Sequence, residues 1–522
     1  MMNQITAKEG PRRKRFSLVP QLDQYPWLVE FAQTIPGKFV VLAVFSGLLY
    51  FFWPAWVLFI SACLFFCTFL PRQRHIILVV ASLTSLLISR TYLQWDLIGR
   101  LAWENGVSGP FLNKFGAAVA VGIIFFCCFL LAHFSRGNRS GFRLRRPILL
   151  MILLYVLLTW FVSTFSLVGP VKFGIWVFLL LFGKYMWFVC YSLNDSSVPS
   201  SPPFWEQIGH YLPFWAVWVL PFHRGGNNLL KIKATSPVDM AVCQLKGLKL
   251  LIWASYLSIF SLLYLTFCHG HAQDFAKLIN IDLMSAEGPL NVFFRGKLIY
   301  KADLLPFFLN LPPYDYAYAQ AQAGRPMPFY WNWIAALGEF FLVVVQLAIV
   351  SHAFIAILRM AGYKALRNVY RPLSSKTVAD FWNHYFYYFK ELLVTIFFYP
   401  TFLRYFRNSN YLRYYFATVA AAGFGNFLYH FLVDFESIIN NGFFSVLSSM
   451  HSYAFYCFIL SNALFVSQWR KLKGGVFSKG LPWPLNTIGV LLFYCVAMIF
   501  AYHKNWNNLA GNIKFFQSLF NF

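Results

Sequence analysis

Charged residues are scarce in this chain. Only 12% of its 522 residues are Asp, Glu, Lys or Arg, whereas 59% are hydrophobic and the mean hydropathy is +0.56. About a quarter of the residues in soluble proteins are charged, so this composition excludes an ordinary soluble domain. The chain needs lipid as part of its solvent, and we expect an integral membrane protein.

Acidic residues are fewer than basic residues. The chain has 18 of them against 43 Lys and Arg, which gives a formal net charge of +25. The basic residues lie in short stretches between apolar runs and form no single stripe or tail. This distribution indicates membrane topology and argues against nucleic acid as a partner.

Signatures of several catalytic and metal-binding classes are missing from the sequence. It contains no Gly-x-Ser-x-Gly turn, no P-loop and no Gly-x-Gly-x-x-Gly motif. The nine Cys form no Cys-x-x-Cys pair, and His269 and His271 lack a third ligand at metal-binding spacing. We therefore expect neither a metal site nor a permanently bound cofactor.

Long apolar runs are what the sequence has in abundance. A run of about 17 to 25 residues can cross a bilayer as a helix, and we count about eleven such runs. They predict an all-α, polytopic membrane protein in which residues 37–522 form one multi-spanning membrane domain. The first two runs touch at Trp53-Pro54, which leaves open one broken helix or a tight hairpin. The runs begin near Gly37, Pro54, His75, Gly116, Pro147, Val171, Lys249, Phe329, Tyr411, Gly442 and Pro484.

Lys and Arg set the expected orientation, because short cytoplasmic loops carry them in excess. Residues 1–36 form a basic N-terminal segment, which we expect to be retained and to lie in the cytoplasm. The chain should return to that side at five further basic stretches. These are Arg72/Arg74, Arg136 to Arg146, Lys231 to Lys249, Arg359 to Arg371 and Arg470 to Lys479.

Two segments are expected not to cross the membrane. The stretch from about His384 to Leu403 must enter and leave on one side, since the basic residues after it also favour the cytoplasm, so we expect a re-entrant or interfacial helix. The run Leu212 to Phe222 is too short to span. The long outer loop, from about Cys268 to Pro326, is expected to form a structured cap.

Polar residues within spans are costly and are therefore candidate functional residues. Asn426, His430 and Asp434 are spaced four apart, which predicts that they stack on one helix face. A neutral imidazole could take a proton from a hydroxyl, and Gly423 and Gly425 would let another helix or a ligand approach closely. The structural alternative is that His430 is only a hydrogen-bonded histidine of the bundle and Asp434 a cap.

A second polar cluster begins at Tyr370 and ends near Pro400. It predicts an interfacial helix with Ser374 or Ser375 as its N-cap and with aromatic anchors at the headgroups. His352 lies in another span, where it is either a hydrogen-bonded bundle residue or part of a tunnel.

Short motifs follow one another in the last third of the chain. An Arg371-Pro372 lead, a Phe381-Trp382 pair and a Tyr399-Pro400 close come first, and Tyr429-His430 follows in a helix rich in small residues. In this order the motifs resemble the signature of the membrane-bound O-acyltransferase (MBOAT) family, whose bacterial branch includes alginate acetylases and the D-alanine transfer protein of teichoic acids. The resemblance covers about residues 359–466 and implies an MBOAT-like fold.

Two positions depart from the family pattern. Many bacterial members have a histidine five residues after the Phe of the Phe-Trp pair, where this chain has Phe386 and offers Asn383 or His384 nearby. The glycine that often follows the family's downstream histidine is Phe431 here. These departures indicate a divergent member. His430 matches a family histidine better than Asn383 or His384 does.

The resemblance implies transfer of an acyl group, short such as acetyl, from a thioester donor to a hydroxyl. His430 would act as the general base, while Asn383 or His384 would polarise the thioester carbonyl or position the donor. The donor would be an acyl-CoA or an acyl carrier protein thioester. The acceptor would be a hydroxylated cell-envelope glycan or lipid. The supporting residues would be Asn426, Asp434, Trp382 and Tyr429.

The expected location is the bacterial cytoplasmic membrane, with membrane lipids and an envelope accessory protein as further partners. A rival hypothesis from another class is a non-catalytic transporter or flippase for a glycolipid, because buried polar residues and broken helices also line substrate pathways.

Overall fold

The structure is a computed structural model that describes residues 19–88, 95–107, 146–196, 225–269, 311–473, 483–502 and 506–521. Helices dominate this part of the chain, and it contains no β-strand, only a bridge between Lys233 and Tyr363. The expected all-α fold is therefore observed. The α-helices are Pro26–Gln33, Ile35–Phe52, Pro54–Phe69, Arg74–Ile88, Trp95–Glu104, Pro147–Thr164, Gly169–Ser196, Gly226–Ile232, Pro237–His269, Tyr314–Gln322, Phe329–Met360, Val378–Tyr385, Tyr387–Leu393, Tyr399–Arg404, Asn410–Thr418, Asn426–Val433, Phe435–Asn441, Phe443–Ser449, His451–Lys473, Trp483–Ala501 and Leu509–Ser518.

Several helices could cross a membrane. Within the described ranges, five are long and apolar enough to do so, and the number rises to eight if each of three bent pairs counts as one span. This supports an integral membrane protein, although eleven crossings are not established. The run near Gly116 and the short run Leu212 to Phe222 lie outside the described residues. The five helices are Ile35–Phe52, Pro147–Thr164, Pro237–Leu265, Phe329–Met360 and Pro484–Ala501.

The first two apolar runs form a tight hairpin. Helix Ile35–Phe52 ends before Pro54, because a proline at the first position of the next helix has no N–H to continue the ladder. Phe39 packs against Phe69 with ring centroids 5.1 Å apart, and the Ser46 and Ser61 hydroxyls are 2.6 Å apart. These contacts join the start of one helix to the end of the other, so the two helices run antiparallel.

Basic segments that were expected on one side of the membrane meet at one end of the bundle. The Arg74 guanidinium is buried, and it donates to the carbonyl oxygens of Gly362 (3.1 Å) and Ala234 (3.3 Å). Lys364 lies 3.0 Å from the Asp239 carboxylate. The segments around residues 74, 231–249 and 359–371 therefore share one face, as their charge predicted.

The segment predicted to be re-entrant is helical from Tyr387 to Arg404 and is interrupted by a π-helical stretch, Val394–Phe398, called the first π segment. It is not one of the described helices that are long and apolar enough to cross. The preceding helix, Val378–Tyr385, is capped by Thr377, whose hydroxyl accepts from the Asp380 N–H at 3.0 Å. The predicted cap at Ser374 or Ser375 is therefore wrong. Each of those hydroxyls has another partner, since Ser374 bonds to the Arg371 carbonyl and Ser375 lies 3.4 Å from His384 Nδ1.

Candidate functional site

His430 lies on a helix that changes its winding partway along. The chain is α-helical over Asn410–Thr418, π-helical over Val419–Gly425 and α-helical again over Asn426–Val433. We call the whole stretch the histidine helix and its middle part the second π segment. Ser409 starts the helix, because its hydroxyl accepts from the Leu412 N–H.

The two π segments pack against each other. A Cβ built on Gly425 would lie 2.5 Å from the Phe397 ring, so only glycine permits this approach. A Cβ built on Gly423 would lie at an ordinary distance of 3.5 Å from the Ser461 side chain on helix His451–Lys473. The prediction that Gly425 lets another helix come close is confirmed. π turns occur often at functional sites, and here two of them adjoin the histidine.

The His430 imidazole is half-buried and surrounded by aromatic rings. Four rings contact it at steep angles, with centroid distances of 4.8 Å to Tyr453, 5.3 Å to Tyr429 and 5.8 Å to both Phe389 and Trp506. We call these four residues the aromatic cage. The four rings leave the imidazole partly accessible.

Asn426 is buried one helical turn before His430. Its Oδ1 accepts a hydrogen bond from the Tyr453 hydroxyl at 3.1 Å. Its Nδ2 is also buried, and it has no hydrogen-bond partner within the described ranges. Leaving such a donor unsatisfied costs about 1–3 kcal/mol, so a ligand oxygen in this position would be stabilised.

Asp434 lies at the end of the helix that carries Asn426 and His430, and its N–H donates to the His430 carbonyl oxygen at 3.2 Å. The helix ends at Val433, and the chain bends by 65° into helix Phe435–Asn441. Asp434 borders a cavity of about 340 Å³, called the polar cavity, and Trp506, which contacts His430, also lines it. The other residues that line it are Ser437, Asn441, Ser445, Val446, Ser449, Met450 and Asn507.

Tyr429 and Trp382 have structural contacts around the cage. Tyr429 is buried, and its ring centroid lies 4.7 Å from that of Phe389 and 5.3 Å from that of Trp187. Trp382 is half-buried and contacts Phe389 at 6.4 Å. Phe389 thus links the Phe-Trp motif to the ring of His430.

His384 and Asn383 face a different neighbourhood from His430. The His384 ring contacts Tyr370 at a centroid distance of 6.1 Å, and its carbonyl oxygen accepts from the Tyr370 N–H at 2.8 Å. Asn383 is exposed. The structure therefore brings Asn426 and His430 together, whereas it places His384 beside the loop that contains Tyr370 and Arg371.

That loop borders a second and larger cavity, of about 1280 Å³, which the sequence did not predict. We call it the cationic cavity because Lys249, Arg367 and Arg371 line it. His352 lines it too, which fits the tunnel alternative for that residue. Burial and the nearby charge of Arg371 lower the pKa of Arg367, although a guanidinium stays charged. The four-residue spacing of Lys249, Trp253 and Leu257, which places them on one helix face, was the one feature of the sequence that could have indicated this cavity.

No three His, Cys, Asp or Glu side chains come together as metal ligands would in the described part of the chain. Comparison with models of protein families finds no match, and comparison with curated proteins finds none. The MBOAT resemblance therefore depends on the motifs between residues 359 and 466, and it enters the functional argument as a proposal.

Proposed function

We propose that the chain is a divergent, MBOAT-like O-acyltransferase of a bacterial cytoplasmic membrane, with His430 as its general base. The observation that carries this proposal is the pairing, one helical turn apart, of a partly accessible imidazole with a buried amide donor, Asn426 Nδ2, that has no partner among the described residues. Four residues of α-helix rise roughly 6 Å. That span suits a hydroxyl and a carbonyl oxygen held between the two groups.

The reaction follows from these positions. The acceptor hydroxyl oxygen attacks the thioester carbonyl carbon while His430 takes the hydroxyl proton. Negative charge then develops on the carbonyl oxygen, where the Asn426 N–H would stabilise it. The C–S bond breaks, and the imidazolium returns the proton to the leaving thiolate. An ester and a free thiol result, with no covalent enzyme intermediate. In this reaction Asn383 and His384 would position the thioester donor.

The polar cavity supports a sugar-like acceptor. Its lining includes one carboxylate, three serine hydroxyls and two asparagine amides, from Asp434, Ser437, Asn441, Ser445, Ser449 and Asn507. Groups of this kind recognise a ligand with many hydroxyls through directional hydrogen bonds. Trp506 contacts His430 and also lines this cavity, so an acceptor bound there lies beside the aromatic cage that holds the proposed base.

The topology supports a donor and an acceptor that arrive from opposite sides. The clustered basic segments lie at the end of the bundle that we assign to the cytoplasm, where an acyl-CoA or an acyl carrier protein would approach. Asp434 lies at the far end of a helix that starts near Asn410. This arrangement favours a hydroxylated cell-envelope glycan or lipid as the acceptor and a short acyl group such as acetyl.

The test is a comparison of cell-envelope glycans and lipids from cells with and without the gene, by mass spectrometry. Loss of one acyl mass is expected on deletion. Wild type and the exposed control His75→Gln should restore it, whereas His430→Gln should not, at equal amounts of folded protein in the membrane. Full restoration by His430→Gln would falsify the proposal.

A glycolipid transporter is the second candidate, and the cationic cavity between two long helices is the observation that favours it. Purified protein distinguishes the two functions. An acyltransferase consumes a thioester in detergent when acceptor is added, whereas a transporter moves its substrate only across the bilayer of a sealed vesicle.

A further inference from the structure

The cationic cavity is polar at one end and apolar at the other. Lys249, Trp253 and Leu257 line it at four-residue intervals along helix Pro237–His269. From Lys249 to Leu257 the helix rises about 12 Å. The same helix face therefore changes from a cation through an aromatic ring to an aliphatic side chain.

The opposite wall repeats this gradient. Helix Phe329–Met360 runs antiparallel to the first helix, since Gly247 lies against Arg359 at one end and Gly338 lies against Tyr264 at the other. It contributes His352 near the charged end and Val344, Val345 and Ala348 toward the apolar end. The cavity thus has the polarity of an amphiphile whose head is anionic.

Two guanidinium groups that form no ion pair within the described ranges make up most of the charged end. Arg367 and Arg371 each lie 5.5 Å from the Tyr370 ring centroid. Lys249 is paired with Asp23 at 3.3 Å, whereas neither arginine has an ion pair among the described residues. Arg371 also adopts a left-handed backbone conformation, with φ of 52°. Arginine side chains bind phosphate oxygens well because their donors form a planar fork.

The charged end lies at the level expected for lipid headgroups. Helix Pro26–Gln33 follows directly after Tyr25, which lines the cavity. Tyr25, Trp27 and Phe31 are 46%, 66% and 37% exposed. Exposed Trp and Tyr beside apolar runs mark the membrane interface. A ligand can therefore enter with its phosphate at the interface and its chains between the two helices.

We propose that the cationic cavity is a binding site for a membrane lipid with a phosphate headgroup. Arg367 and Arg371 bind the phosphate, and the face formed by Trp253, Leu257 and Val345 holds an acyl chain. The volume of about 1280 Å³ exceeds that of ordinary small-molecule sites, which hold about 300–1,000 Å³, and suits a lipid. This site is independent of the acyl transfer proposed at His430.

The experiment uses the full chain purified in a neutral detergent and measures its thermal midpoint during titration with dioleoyl phosphatidate. Dioleoylglycerol supplies the same chains without phosphate, inorganic phosphate supplies the anion without chains, and palmitoyl-CoA supplies a soluble phosphate amphiphile. We expect a saturable rise in Tm with phosphatidate and a weaker effect with each of the others.

Variants assign the effect to the cavity. The double variant Arg367→Gln/Arg371→Gln should raise the Kd for phosphatidate by about tenfold or more, since charge-assisted hydrogen bonds are lost. Arg404→Gln, an exposed arginine elsewhere, should leave it unchanged. Arg371→Gln alone, at an exposed position, covers the case in which the double variant does not fold. Leu257→Trp tests the apolar end by filling it.

Three results would overturn the proposal. The first is equal stabilisation by dioleoylglycerol and phosphatidate, because the phosphate would then contribute nothing. The second is tighter binding of palmitoyl-CoA than of phosphatidate, which would assign the cavity to a soluble ligand. The third is an unchanged Kd in Arg371→Gln and in Leu257→Trp. None of these results bears on the role of His430, which the envelope analysis tests separately.

Discussion

The Tyr453 hydroxyl donates a hydrogen bond of 3.1 Å to Oδ1 of Asn426, and this bond holds the amide in an orientation that leaves Nδ2 buried, with no partner in the described part of the chain. Tyr453 also forms part of the aromatic cage around His430. One side chain thus orients the proposed oxyanion donor and encloses the proposed base. The stability of the bundle and the chemistry of the site are coupled at this contact.

Substitution of Tyr453 should show this coupling. Tyr453→Phe removes the donor and leaves the buried Asn426 Oδ1 without a hydrogen bond. We therefore expect the free energy of unfolding to fall by about 1–3 kcal/mol. In an Asn426→Leu background the same change should cost much less, because the group left without a partner is gone. Thermal unfolding in detergent of the wild type, both single variants and the double variant measures the interaction. Additive changes in Tm would contradict it.

The polar cavity makes a prediction about the acceptor. Ser445→Leu places an apolar side chain in the cavity, so we expect the KM for a hydroxylated acceptor to rise about tenfold or more while thioester affinity stays the same. Ser448→Leu is a matched control, since Ser448 is exposed three residues later and does not line the cavity. Steady-state kinetics with each substrate varied in turn separate the two affinities. A rise confined to the KM for the thioester would place the donor in this cavity instead.

The contact between the two π segments allows a paired test. Gly425→Ala puts a methyl group 2.5 Å from the Phe397 ring, and such overpacking costs about 1–3 kcal/mol. Gly423→Ala meets its nearest neighbour at 3.5 Å, and alanine has the higher helix propensity, so it should be neutral or slightly stabilising. Thermal midpoints of the two variants provide the measurement. Equal midpoints would mean that the π segments separate easily.

Asp195 makes a prediction about pH. It lies at the end of helix Gly169–Ser196, beyond the apolar stretch Gly169–Gly183, and it accepts from the Asn227 N–H at 3.0 Å. Burial raises the pKa of this carboxyl group from 3.8 to about 6. Between these values the unfolded chain releases the proton while the folded chain keeps it. The contribution of Asp195 to stability therefore falls as pH rises from about 4 to about 6.

The variant Asp195→Asn isolates this effect, because its amide oxygen can still accept from Asn227 and does not titrate. We expect the free energy of unfolding of the variant, relative to that of the wild type, to increase from pH 4 to pH 6 by an amount on the order of 3 kcal/mol and then to level off. Fluorescence-detected unfolding across this range measures it. A difference between the two proteins that does not vary with pH would show that the buried carboxyl group titrates normally.

Much of the helical framework could be predicted from the sequence, because apolar runs and prolines act locally. Helices begin at Pro54 and Pro147 as expected, and three of the five basic stretches, around residues 74, 231–249 and 359–371, meet at one face as their charge predicted. The sequence did not decide between one broken helix and a tight hairpin at Trp53-Pro54, because a helix break alone does not show whether the chain reverses direction. The contact of Phe39 with Phe69 decides this, and it joins residues 30 apart.

The site itself was only partly predictable. The four-residue spacing of Asn426 and His430 predicted their common face, but the bend after Val433 and the cavity that Asp434 borders depend on packing with other elements. The π segments have no simple sequence signal. The cationic cavity combines residues from the N-terminal segment, two long helices and the loop after Met360, so no single stretch of sequence reveals it.

The second π segment determines where the histidine helix can lose a residue. A π turn holds more residues than the α turn it replaces, so the histidine helix carries surplus chain between its two α-helical parts. Deleting one residue within Val419–Gly425 would return this stretch to ordinary winding and leave His430 directed at Tyr453. Deleting Leu428 would instead rotate His430 by roughly 100° relative to Asn426. The tolerance of this helix to shortening is therefore concentrated in seven residues, immediately before the pair that the proposed chemistry needs.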